Sequence, residues 1–267
     1  MALCPEPPPL NPDWPSICSP FCMWPNSLFL LLLLPGTAAK AGNVCNPTKL
    51  VGPYAFQLSG LTTISGTPKP TPSLGRITFD GSGSLSGTAS ATFSGLLLGN
   101  PVTGTYEAKS DCSVTWTLQD GSGAFQNFSG TLSTDGTRVL FRQTDPGGAQ
   151  HGIMQKTSDS CSAADLQKKY KFTVSGSTTP MQPGEVPHTV SAEGTLDVAE
   201  NGSFQVDSDC SVHYVWTLPH WPSPMTMRGF LVNGGNEILA FQTDPGAMVA
   251  ARFRSDSKRL KTAARRK

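Results

Sequence analysis

The sequence predicts an all-β chain. It reads as two tandem antiparallel up-and-down β-barrels, of about eight strands each, behind a signal peptide. Three observations carry this prediction: the composition, an internal repeat, and short alternating runs at roughly ten-residue spacing.

Gly 27 and Pro 23 make about a fifth of the 267 residues, and Ser 28 and Thr 27 add 55 more. These residues are poor in helix interiors, because they cost backbone entropy, lack a donor or compete for backbone hydrogen bonds. Charged residues are 15%, against roughly 25% in an ordinary domain. With 37% hydrophobic residues and a net charge of +1, charge-driven disorder is excluded.

The chain opens with a leader, expected over residues 1–41. Residues 28–34 are apolar, Pro35 and Gly36 break the run, and Ala39-Lys40-Ala41 follows. That is the form of a signal peptide cleaved after Ala41. Seven residues are too few for a membrane span, which needs about 20, so no transmembrane span is expected in the mature chain. No Lys or Arg precedes the apolar run, and Met23 lies just ahead of it, so residues 1–22 fit an over-extended translation start. Secretion or a periplasmic location follows.

Four Cys lie beyond the leader: Cys45, Cys112, Cys161 and Cys210. An even number in an exported chain reads as disulfides, with three pairings open. The repeat chooses among them. Cys45-Asn-Pro-Thr-Lys-Leu50 aligns with Cys161-Ser-Ala-Ala-Asp-Leu166, and Tyr54-Ala-Phe56 with Tyr170-Lys-Phe172. Further on, Gly104-Thr-Tyr106 and Asp111-Cys112-Ser match Gly202-Ser-Phe204 and Asp209-Cys210-Ser. Trp116-Thr-Leu118 is set beside Trp216-Thr-Leu218, and Gln143-Thr-Asp145-Pro-Gly147 beside Gln242-Thr-Asp244-Pro-Gly246. One unit is written twice, over 42–158 and 159–254. Each copy holds two Cys, so the expected bridges are Cys45–Cys112 and Cys161–Cys210.

Within the first copy, alternation predicts strands at 54–58, 76–79, 84–93, 103–108, 112–118, 125–132, 138–143 and 151–156. Asp80-Gly81, Asp120-Gly121 and Asp135-Gly136 punctuate them as turns. The best helical stretch is one or two turns over 162–169. Pro180, Pro183 and Pro187 shorten the second copy after its first strand. Eight up-and-down strands close into a barrel just wide enough to be filled by side chains or to hold one small ligand.

These motifs, Cys-x4-Leu-x3-Tyr-x-Phe, Asp-Cys-Ser and Gln-Thr-Asp-Pro-Gly, resemble those of uncharacterised exported bacterial proteins. Those proteins carry lipocalin-like β-barrel repeats, of calycin or allene-oxide-cyclase type. The resemblance covers about residues 45–254. It implies a fold and no activity.

No sequence motif points to catalysis. There is no Gly-x-Ser-x-Gly elbow and no phosphate-binding loop. His151, His188, His213 and His220 form no close metal pair, and neither a metal nor a cofactor is expected. Asp111 and Asp209 read as Asx-turns, and Asp145 and Asp244 as turn residues. Asn127-Phe-Ser129 and Asn201-Gly-Ser203 match glycosylation sequons. The candidate ligand-binding residues are the repeated aromatics: Phe56, Tyr106 and Trp116, with Phe172, Phe204 and Trp216. Trp221, on a Pro-rich insertion, is a candidate contact. Residues 252–267 carry +7, leaving −6 elsewhere. This basic tail, 255–267 as a segment, suits an anionic surface rather than nucleic acid in an exported chain.

The leading expectation is a non-catalytic exported barrel binding a small apolar ligand. The alternative is a structural or surface-interaction protein with filled barrels. An isomerase-like barrel enzyme ranks third.

Overall fold

The computed structural model describes residues 44–64, 66–93, 96–200, 202–217 and 223–255. The leader, His220, Trp221, Asn201 and the tail beyond Ser255 lie outside the described residues.

Among the described residues the first copy forms nine strands. They are β1 (Gly52–Ile64), β2 (Thr67–Pro70), β3 (Ser73–Phe79), β4 (Ser84–Phe93), β5 (Leu96–Ala108), β6 (Ser113–Asp120), β7 (Phe125–Leu132), β8 (Arg138–Gln143) and β9 (Ala149–Lys156). All eight expected strands are present. The addition is β2, which folds back on the far end of β1. The order β1-β3-β4-β5-β6-β7-β8-β9 is closed by β1 pairing with β9, making an eight-stranded antiparallel barrel. Alternation sorts the faces: on β6, Val114, Trp116 and Leu118 are buried, while Thr115 is exposed.

Among the described residues the second copy forms seven strands, one fewer than expected. They are β10 (Lys169–Thr178), β11 (Thr189–Asp197), β12 (Gly202–Val206), β13 (Ser211–Trp216), β14 (Met225–Val232), β15 (Glu237–Gln242) and β16 (Ala247–Arg254). The order is β11-β10-β16-β15-β14-β13-β12, and β11 and β12 do not pair. The reason is parity. Each of the six neighbours is antiparallel, so the two edge strands run the same way. They cannot form an antiparallel closing ladder.

The missing strand is the counterpart of β4. Tyr54 faces Ile77 and Phe56 faces Gly75 across β1 and β3. Tyr170 faces Leu196 and Phe172 faces Gly194 across β10 and β11. Thus β11 matches β3. A Cβ on Gly75 would come within 2.5 Å of the Phe56 ring, and one on Gly194 within 2.9 Å of Phe172. The small residue is what lets each ring cross its neighbour. Further on, Tyr106 faces Trp116 and Phe204 faces Tyr214, so β12 matches β5. This register corrects the alignment of Trp116 with Trp216: Tyr214 occupies the place of Trp116, and Trp216 that of Leu118.

Both disulfides form within copies as expected, Cys45–Cys112 with a separation of 67 and Cys161–Cys210 with 49. The shorter second separation reflects the lost strand and its turn. The segment after each first Cys makes a 3-10 turn, Pro47–Lys49 and Ala163–Asp165. The second is shorter than the one or two helical turns expected over 162–169. Tyr54 Oη donates to the carbonyl of Gly136, and Tyr170 Oη to that of Gly235 at 2.7 Å. Burial pushes both phenols up to about 12, so they stay protonated donors.

The two sheets pack through their outer faces. Ala55, Leu74 and Ile153 of the first meet Phe230, Val232, Leu239 and Phe241 of the second in one buried cluster. Beside it, Gln155 Nε2 donates to Glu237 Oε2 at 2.7 Å. Arg252 and Arg254 both reach Glu237 Oε1.

Candidate functional site

The first barrel is filled at one end and open at the other. Tyr54, Phe79 and Tyr106 plug the closed end in edge-to-face contacts, with centroids 5.4 and 4.8 Å apart. Leu50, beyond the 3-10 turn, is fully buried against them. The next layer is Phe56, Trp116, Phe128 and Phe141. Trp116 stacks on Phe128 at 5.4 Å and meets Phe141 edge-on at 4.9 Å.

Beyond this layer lies a cavity of about 190 Å³. Phe56 and Phe128 line it together with Leu58, Val102 and Leu118, and Ala89 and Ala91 of β4 leave room beside them. Ser73, Asn100, Asp120 and Gln126 supply its polar groups. The second, open sheet carries larger residues at two matching places. Trp216 stands where Leu118 stands, and Phe253 where Met154 stands. Phe172 and Trp216 pack edge to face at 4.6 Å, and Trp216 meets Phe253 at 5.6 Å. All three are buried, so this interior is packed with rings.

The six candidate aromatics therefore separate. Phe56 lines the cavity. Tyr106 belongs to the plug, and Trp116 packs behind Phe128. Phe172 and Trp216 are core of the second barrel, and Phe204 stacks on Tyr214 at 4.9 Å on edge strand β12. Phe128, Leu58, Leu118 and the polar groups at the cavity were not singled out by sequence. Alternation on β1, β6 and β7 marks Leu58, Leu118 and Phe128 as inward, but it does not say which inward positions border empty space.

The other polar motifs serve the fold. Asp111 Oδ1 accepts from the Ser113 amide at 2.9 Å, and Asp209 Oδ1 from the Ser211 amide at 2.9 Å, which are the expected Asx-turns. Asp145 accepts from the Asn127 amide and from Gln143 Nε2, and Asp244 from the Thr226 amide and from Gln242 Nε2. The repeated Gln-Thr-Asp-Pro-Gly thus ties the turn after β8 to β7, and the turn after β15 to β14. Asn127 Nδ2 donates to Asp145 at 2.8 Å, and its Oδ1 accepts from Thr117. Its amide is engaged in the sheet. At Ser82-Gly83-Ser84, bonds from the Ser82 hydroxyl and from the Ser82 and Ser84 amides lower Asp80 to about 2. His213 lies 3.7 Å from Asp207 in an exposed pair. Among the described residues no group of three or more His, Cys, Asp or Glu converges to hold a metal ion.

Fold and cavity define the class: an antiparallel β-barrel protein, disulfide-bridged and duplicated, with an interior cavity at one end of its first barrel. No family model matches the chain, and no curated protein matches it. Two disulfides suit an oxidising compartment. Among the described residues no helix is long and apolar enough to cross a membrane.

Proposed function

We propose that this chain is a non-catalytic binding protein, secreted or periplasmic, that holds one small apolar ligand in its first barrel. The observation that supports this reading best is the 190 Å³ cavity floored by Phe56 and Phe128. A pocket lined by apolar and aromatic side chains with a few polar groups is the usual form of a small-molecule site. Asp120 is the one carboxylate at the cavity, so the paired acid and base that proton-transfer chemistry needs are not at hand there. The within-copy disulfides support export, as does the apolar run at 28–34.

The second, open sheet fits the filled, structural reading instead. Its ring-packed interior makes it a scaffold braced against the first barrel. The basic tail is then a contact for an anionic surface.

The discriminating experiment transplants the copy-two residue. Leu118→Trp fills the cavity as Trp216 fills the second barrel. A panel of small apolar compounds should raise the melting temperature of the wild-type chain and leave that of L118W unchanged. A wild-type chain that responds to no compound sinks the binding reading. Ala91→Leu is a milder filling variant, should L118W overpack.

A further inference from the structure

We propose that the ligand is a single-ring aromatic amine, its ring on Phe56 and Phe128 and its ammonium group against Asp120. This rests on the binding reading above and adds the chemical class.

Size sets the ring count. A cavity of about 150 Å³ lined by apolar side chains takes a benzene, so 190 Å³ admits one ring and a short substituent. A fused ring system or a long acyl chain would have to project out through the open end. Phe56 and Phe128 border the space, and aromatic pairs gain from offset or edge-to-face contact beyond their area.

Charge sets the substituent. Asp120 is the last residue of β6, in register with Trp116 and Leu118 on the inner face, and its carboxyl lies exposed at the mouth of the cavity. Its Oδ1 accepts from the Ser122 amide at 2.9 Å, the Ser122 hydroxyl at 2.6 Å and the Ala124 amide at 3.2 Å. These bonds, the Ser122 hydroxyl first, hold the carboxyl below its usual range, so it is an anion at neutral pH. They all fall on Oδ1, and the exposed carboxyl stands at the rim of the cavity, within reach of a ligand's substituent. The other polar groups at the cavity, Ser73, Asn100 and Gln126, are uncharged. A primary ammonium suits this arrangement, a hydroxyl suits it less, and a carboxylate is repelled.

The test is calorimetric titration of the oxidised full chain with benzylamine, benzyl alcohol, benzoate and decanol. Benzylamine should bind about two- to fivefold tighter than benzyl alcohol, the size of an exposed ion pair, and benzoate should bind weakest. Asp120→Asn keeps an acceptor for the turn and should bring amine and alcohol level. Gln126→Glu, which leaves the turn untouched, should widen the gap. Equal binding of amine and alcohol to the wild type overturns the proposal, as does an amine preference that survives D120N. Binding of decanol but not of the one-ring compounds overturns the class and spares the binding reading. If none of the four binds, both fall.

Discussion

Gln57 Nε2 donates to the carbonyl of Ala240 at 2.6 Å and also to that of Ala251 at 2.9 Å. One side chain on the outer face of β1 thus bonds two neighbouring strands of the other barrel. Outward positions of a barrel are normally solvated. Here they form a second core, and the polar groups inside it must be paired.

Replacing Gln57 by Leu leaves two carbonyls in that interface without their side-chain donor. The expected loss is about 1–3 kcal/mol, read from urea unfolding as a lower midpoint at unchanged slope. A variant as stable as the wild type would show that the carboxamide contributes nothing net.

Leu239 and Leu140 occupy the same position in the two copies and have opposite environments. Leu239 is fully buried in the interface, whereas Leu140 is 52% exposed. Leu239→Ala should cost about 2–5 kcal/mol. Leu140→Ala should stay within about 0.5 kcal/mol of the wild type. Equal effects in thermal unfolding would mean that the barrels do not pack this way in solution.

Glu237 gives the interface a pH dependence. Burial works to raise its carboxyl, but hydrogen bonds from Arg252 and Gln155, with the Arg252 charge, outweigh this and lower it. A carboxylate lowered in the folded state contributes stability above its unfolded value, about 4.3. That contribution is lost as pH falls through the lower folded value. Stability measured at falling pH should therefore drop below about pH 4.3, and Glu237→Gln should flatten that slope. An unchanged slope in E237Q would assign the acid sensitivity to the turn aspartates.

Much of this was legible in the chain. Alternation at 112–118 and 125–132 gave β6 and β7 almost to the residue, because a sheet with one buried face imposes a period of two. Repeated Cys positions implied both bridges. Asp before Cys-Ser read correctly as a turn. The strand β2 was missed because Thr67-Pro-Lys-Pro70 contains two prolines and no alternation, and its pairing depends on the extension of β1. The interface was visible only as a swap between copies. Phe141-Arg142 in one is Ala240-Phe241 in the other, which moves a ring from the inner to the outer face of the strand.

The sequence by itself determined the all-β class, the duplication, the eight barrel strands of the first copy and the disulfide partners. These rest on local periodicity and on comparison of the chain with itself. The tertiary structure decided three things. It decided that the first sheet closes and the second does not, because only an even number of antiparallel strands brings edge strands of opposite direction together. It decided that a cavity borders Leu118 while Trp216 packs against Phe172 and Phe253, because empty volume is a sum over side chains from many strands. It decided which outer faces meet, because a residue's exposure on a barrel wall depends on what the rest of the chain places against it.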